Sequence, residues 1–155
     1  MLGEAIDKLI EANLVLWHQE DRRRDRNLAD SERLAAADEI TVWNRKRNQA
    51  IDEINCLIAD RFSGATPKLT GTGAALLTGS IGDLIDRLAI AKIRRFHLEE
   101  SGETDRLASV SAEIEDLICQ INEAFALASS PSEKDRQRLF GFGKNKVYRN
   151  DETYR

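Results

Sequence analysis

Apolar residues recur every three or four positions along most of the chain, which is the spacing of an amphipathic helix. Polar or glycine-containing stretches divide this pattern into four long segments. The predicted helices run from about Gly3 to Asp25, from an N-cap at Asp30 or Ser31 to about Phe62, from Ile81 to about Glu100, and from about Thr104 to Ser129. Ser80 and Asp83 predict a capping box at the start of the third helix, and Gly102 suits the position just after its end.

The connections between the helices predict how they are arranged. Short links between long amphipathic helices favour antiparallel neighbours. We therefore predict an all-α fold, an antiparallel up-down bundle of about four long helices in residues 1–130. Ser130-Pro131-Ser132-Glu133 resembles a capping box with proline at the first helical position, and it predicts a short helix at the start of residues 131–155. We assign this short helix and the tail that follows it to the same domain as the bundle.

Composition narrows the class of protein mainly by exclusion. The chain has 155 residues, of which 41% are hydrophobic, so it is too apolar for a disordered protein. Its first ten residues carry charges where a signal peptide needs an apolar region, and no uncharged apolar stretch approaches the ~20 residues that span a bilayer. Cys56 and Cys119 lie within helical patterns, and we expect both to be buried thiols. These features predict a reduced, cytoplasmic protein that has no membrane partner.

The formal net charge of −4 is unevenly distributed along the chain. Residues 131–155 carry seven Lys or Arg and four Asp or Glu, a balance of +3, which leaves −7 for residues 1–130. Aromatic residues interleave with the basic ones in this tail, a pattern that can bind nucleic acid. The low pI of about 5.3 argues against a nucleic-acid partner. We expect the tail to pack on the acidic bundle or on a partner subunit.

Polar residues interrupt the apolar stripes of the first three helices, whereas the apolar stripe of the fourth helix is uninterrupted. The interrupting residues are Asn13, Glu20, Asn44, Arg47 and Lys92. A buried polar group costs roughly 1–3 kcal/mol unless it has a partner, so these residues should bind one another, water or a ligand. Two interpretations stay open, an internal network that fixes the register of the helices and a binding pocket in the bundle core.

The two histidines each have a carboxylate three residues later, on the same helix face. His18 precedes Asp21, and His97 precedes Glu100. Two such pairs can supply the four nitrogen and oxygen ligands of a metal site. The alternative is that each histidine hydrogen-bonds its neighbouring carboxylate at a bundle end.

Cations on the interrupted stripes suggest a different site. Arg47 and Lys92, with Arg87 nearby, can hold a phosphate or carboxylate group. The alternative is that they pair with carboxylates of the chain itself. The candidate partners are Glu20, Asp52 and Asp86. The chain contains no Walker phosphate loop and no Gly-x-Ser-x-Gly nucleophile elbow.

Several short strings, taken in order, resemble the motifs of one family. The strings are Trp17-His18-Gln19-Glu20-Asp21, Asn44-Arg45-Lys46-Arg47-Asn48, Ile85-Asp86-Arg87-Leu88-Ala89-Ile90 with Lys92 and His97, and Lys146-Val147-Tyr148-Arg149. They resemble the W-H-x-E-D, N-x-x-R-N, I-D-R-L-x-I…K…H and K-V-Y-R motifs of a family of bacterial all-helical proteins, classified as a domain of unknown function. Phe96 stands where the family has tyrosine, so any role of a hydroxyl group at that position is lost. The resemblance implies that these motif positions recur in the family, but it assigns no activity, and the cofactors stay unknown.

Three hypotheses follow for the function. The first is a polar site between the helices that binds an anionic small ligand, with His18 or His97 as an acid or base; whether it catalyses a reaction stays open. Its predicted ligand-binding residues are Glu20, Asn44, Arg47, Asn48, Asp86, Arg87 and Lys92.

The second hypothesis is a structural or interaction protein, a homodimer whose polar residues fix the helix register. The third is a metal site. Its predicted ligands are His18, Asp21, His97 and Glu100.

Overall fold

The computed structural model describes residues 1–62, 80–129 and 132, and within these ranges the regular structure is entirely α-helical. The helices are α1 (Leu2–Arg24), α2 (Asp30–Phe62), α3 (Ile81–Ser101) and α4 (Thr104–Ala128). The predicted all-α class is confirmed, and the bounds of α1, α3 and α4 lie within one residue of the prediction. Helix α2 ends at Phe62 as predicted, and it begins at Asp30, one of the two residues predicted as its N-cap. None of the helices in the described ranges is long and apolar enough to cross a membrane.

Ion pairs between helices show that consecutive helices run antiparallel. Lys8, early in α1, pairs with Glu53, late in α2, with 2.8 Å between Nζ and Oε2. Arg94, late in α3, pairs with Glu113 in the first half of α4 at 3.0 Å. The most extensive packing is within the α1–α2 pair and the α3–α4 pair, and α3 also contacts both α1 and α2. This arrangement confirms the predicted helical bundle.

Small and branched apolar side chains form the core. The buried apolar residues of α1 alternate at spacings of four and three, which places one line of side chains against α2. They are Ala5, Leu9, Ala12 and Leu16. Leu9, Ile54 and Leu84 are fully buried, and each contributes roughly 1.5–3 kcal/mol relative to an exposed position. The alanines let the helix backbones approach closely.

Both ends of α3 are fixed as the sequence predicts. The Ser80 Oγ accepts a hydrogen bond from the backbone N–H of Asp83 at 3.1 Å, and the backbone N–H of Ser80 donates to the Asp83 carboxylate at 3.1 Å. Gly102 ends the helix in the left-handed region, at φ 73°. The capping box and the glycine stop therefore set the start and the end of α3.

Two expectations about burial are wrong. Lys92, which the sequence placed on the inner stripe of α3, is exposed, because the buried line in the second half of this helix passes through Ala91 and Leu98, seven residues apart. Asn44, which the sequence placed on the inner stripe of α2, is also exposed.

Both cysteines are exposed as well, where the sequence predicted buried thiols. Cys56 is two residues from the buried Ile54 and Ile58, and Cys119 is two residues from the buried Leu117. Two residues correspond to about 200° around a helix, so each thiol lies on the side opposite its buried neighbours.

Some predictions fall outside the described residues. These are the link from Ser63 to Thr78, the predicted short helix and the basic tail. The assignment of residues 131–155 to the same domain as the bundle stays a prediction.

Candidate functional site

The candidate site is centred on Asp86 in the middle of the bundle. Asp86 of α3 is 3% exposed and Asn13 of α1 is 5% exposed, and they are the two buried polar residues in the part of the chain that the structure describes. The Asn13 amide donates to Asp86 Oδ1 at 2.9 Å and to the Leu9 carbonyl, one turn earlier, at 3.1 Å. Both side-chain N–H groups of Asn13 therefore have acceptors.

Arg47 of α2 completes this network. Its Nε donates to Asp86 Oδ1 at 2.8 Å, and its Nη2 donates to Asp86 Oδ2, which makes the pair bidentate. The hydrogen bonds to Asp86 raise the pKa of the Arg47 guanidinium and outweigh the opposite effect of burial. Of the three partners that the sequence allowed for Arg47, the structure selects Asp86, and the buried carboxylate charge is neutralised.

The three residues of this network come from three different helices. Asn13 lies one turn after Leu9 and Arg47 lies one turn before Ile51, so each occupies an inward position that an apolar residue would otherwise take. A shift of one helix by one turn, about 5.4 Å, would separate the donors from the carboxylate. The network can therefore hold α1, α2 and α3 in one register.

A second polar contact joins α2 to the start of α3. Asn55 Oδ1 accepts from the backbone N–H of Gly82 at 2.8 Å, and Asn55 Nδ2 donates to Ser80 Oγ at 3.0 Å. A Cβ added at Gly82 would lie 2.7 Å from the Ile51 carbonyl oxygen. This contact is not among the sequence predictions, although a glycine inside the first turn of a capped helix is a signal of close approach.

An aromatic contact joins α1 to the other end of α3. The rings of Trp17 and His97 stack with their centroids 4.8 Å apart and their planes 5° from parallel. Phe96 contacts His97 edge-on at 5.5 Å. His97 Nδ1 also lies 3.6 Å from Glu100 Oε2, which is close enough for an ion pair but longer than the predicted hydrogen bond.

The four residues predicted as metal ligands are not brought together. His18 is exposed, and it follows Trp17 by about 100° around α1, so it points away from the contact with α3. In residues 1–62 and 80–129, no group of three or more His, Cys, Asp or Glu side chains has the arrangement needed to hold a metal ion.

The remaining predicted site residues lie on the surface or near it. Asn44, Asn48 and Lys92 are exposed, and none of them makes a hydrogen bond or ion pair with another described residue. Arg87 is also exposed. Glu20 is partly buried and pairs with arginines of its own helix, at 2.8 Å from Arg23 and 3.3 Å from Arg24. The predicted set therefore divides into an internal network and a group of residues at or near the surface.

Comparisons with known proteins identify the family. A search of the curated proteins and a search of the solved structures found no significant match. A family model with the description "Protein of unknown function (DUF4254)" matches residues 3–123, most of the chain and all of α2 and α3. The chain belongs to this family of proteins of unknown function.

Proposed function

We propose that the protein is a structural or interaction protein, and that the Asn13–Arg47–Asp86 network serves to fix the register of its helices. The single observation that supports this proposal is the engagement of the buried Asp86 carboxylate, whose two oxygens accept three hydrogen bonds from α1 and α2. A carboxylate that is already neutralised and shielded from water is a poor partner for an added ligand. Buried polar groups are best attested as devices that specify register and association.

The surface of α1 suggests how such a protein would bind. Besides the line that packs on α2, α1 carries a second apolar stripe, which comprises Ile6, Ile10, Leu14 and Trp17. Ile6 and Trp17 at its two ends are partly buried within the bundle, so Ile10 and Leu14 form its exposed part. Ile10 and Leu14, one turn apart, are each 41% exposed. Because no charged residue belongs to this stripe, two copies can bring it together without repulsion between like charges. Dimers most often use one self-complementary patch in this way, so we propose a second copy of the chain as the partner.

The mass of the protein in solution tests this proposal. The wild type is expected to sediment as a dimer, and the double variant Ile10→Glu/Leu14→Glu as a monomer that remains helical. The matched control is Leu34→Glu on α2, since Leu34 is 65% exposed and lies outside the stripe. The control should keep the dimer mass. A monomeric wild type, or a double variant that remains dimeric, would overturn the proposal.

A second candidate function is the binding of an anionic small ligand at the surface. The observation that favours it is the exposure of Lys92, Asn44 and Asn48 without a partner among the described residues. Arg47 lies between the two asparagines on α2, and its side chain is 28% exposed. A single ammonium group with amide donors suits a phosphate or carboxylate group.

Calorimetric titration with inorganic phosphate tests this second function. Lys92→Ala should abolish the binding heat, and Arg45→Ala, which removes an exposed cation of α2 outside the predicted set, should retain it. No heat with the wild type, or equal heat with both variants, would exclude phosphate binding through Lys92. The result is independent of the mass measurement above, so the two functions are tested separately.

A further inference from the structure

The outer face of α4 is exposed along the whole helix. It comprises Asp105, Ala108, Ala112, Glu115, Asp116, Cys119, Glu123 and Ala126, all of them exposed. These positions fall within an arc of about 100° around the helix. The face carries four carboxylates and no lysine or arginine. It is therefore a strongly acidic surface with small side chains between its charges.

The neighbouring surface adds an apolar contact. Ile118, on the flank of this outer face, is 41% exposed and is the exposed large hydrophobic residue of α4. The alanines between the carboxylates let another segment approach the helix closely. The outer face of α4 therefore suits a segment that combines basic groups with apolar ones.

A second copy of α4 does not fit this face. Two copies joined through it would place carboxylates opposite carboxylates, and like charges brought together in this way are repulsive. This face consequently differs from the uncharged stripe of α1, which the proposed dimer uses.

The chain itself supplies a segment with complementary charge. Residues 131–155 have a balance of +3, in contrast to −7 for residues 1–130, and they include four aromatic residues. The four are Phe140, Phe142, Tyr148 and Tyr154. This segment follows α4 after only two residues, since α4 ends at Ala128. Its 25 residues would span about 37 Å even at the helical rise of 1.5 Å per residue, which matches the length of the 25-residue α4.

We propose that residues 131–155 dock on the outer face of α4 of the same chain. Their lysines and arginines neutralise the four carboxylates, and their aromatic side chains cover Ile118 and the exposed alanines. The short connection gives the segment a high effective concentration at this face. Because the paired charges are near the surface, added salt weakens the contact.

The two cysteines provide the experiment, with one as the internal control. Cys119 lies on the outer face of α4, whereas Cys56 is exposed on a different helix, α2. In the full chain at low salt, docking should slow the modification of Cys119 by an uncharged maleimide, read by mass spectrometry. The variant Lys144→Glu/Lys146→Glu/Arg149→Glu should speed it roughly tenfold, as expected if about nine-tenths of the molecules are docked. The rate at Cys56 should not change.

Charge reversal on α4 distinguishes docking from a local effect on the thiol. Glu115→Lys/Asp116→Lys should also expose Cys119, and its combination with the reversed tail should restore protection. Equal rates at Cys119 in the wild type and the tail variant would overturn the proposal. Protection that appears only as the protein concentration rises would also overturn it, because the tail would then bind a second copy.

Discussion

Arg47 of α2 binds Asp86 of α3 through two guanidinium nitrogens, while Asn13 of α1 donates to the same carboxylate. One buried charge thus joins three helices at one level of the bundle. A buried ion pair is not by itself stabilising, because removing two charges from water offsets their attraction. Its contribution here is to specificity, since other registers of the three helices would leave the Asp86 carboxylate without its partners.

The close approach of α2 and α3 at Gly82 gives the first prediction. Gly82→Ala should lower the free energy of unfolding by about 1–3 kcal/mol, because the new methyl group would lie 2.7 Å from a backbone oxygen that cannot move freely. Denaturation with urea measures this change.

Gly3→Ala is the matched control for this substitution. A Cβ at Gly3 meets no atom within 4 Å, and alanine is the better helix former, so the control should be neutral or slightly stabilising. If the two substitutions have the same effect, the close contact at Gly82 is not important for stability.

The stack of Trp17 on His97 gives the second prediction. His97→Ala should destabilise the fold by about 1 kcal/mol, the size typical of an aromatic pair, and should change the fluorescence of Trp17. The measurement is made in a Trp43→Phe background so that Trp17 is the reporter.

His18→Ala is the control for the stack, since His18 is exposed and adjacent to Trp17 in sequence. It should leave both stability and fluorescence near those of the parent. A fluorescence change with His18→Ala equal to that with His97→Ala would contradict the stacked arrangement.

The end of α3 gives the third prediction. Gly102 has φ 73°, and nothing lies within 4 Å of an added Cβ, so Gly102→Ala tests backbone strain without a steric clash. We expect a loss of about 1 kcal/mol in the free energy of unfolding, from the cost of the left-handed conformation. No loss in urea denaturation would mean that this helix end can relax.

The four helices could be predicted from the sequence because local signals define them. The capping box at Ser80 and the stop at Gly102 are encoded within a few residues. Polar interruptions likewise pointed to Asn13 and Arg47, since a polar residue on an apolar stripe needs a partner.

The partners themselves were harder to predict. The sequence allowed three carboxylates for Arg47, and only the packing of α3 against α1 and α2 selects Asp86. Lys92 was wrongly predicted to lie on the inner face of α3 for a related reason. The line of buried residues along α3 is set by its contacts with other helices and not by a fixed spacing. The contact between Asn55 and Gly82 depends on how closely two helices approach, which local periodicity does not report.

The most direct test of the register-fixing network is the free energy of unfolding of Arg47→Ala, compared with Lys92→Ala. Arg47→Ala leaves the Asp86 carboxylate buried without its cation, so we expect a loss of about 3 kcal/mol, whereas Lys92→Ala should change stability by less than about 0.5 kcal/mol. Replacing the whole network with Asn13→Leu/Arg47→Met/Asp86→Leu should recover most of the loss. An Arg47→Ala protein as stable as Lys92→Ala would contradict the account, because the network would then not hold the helices together.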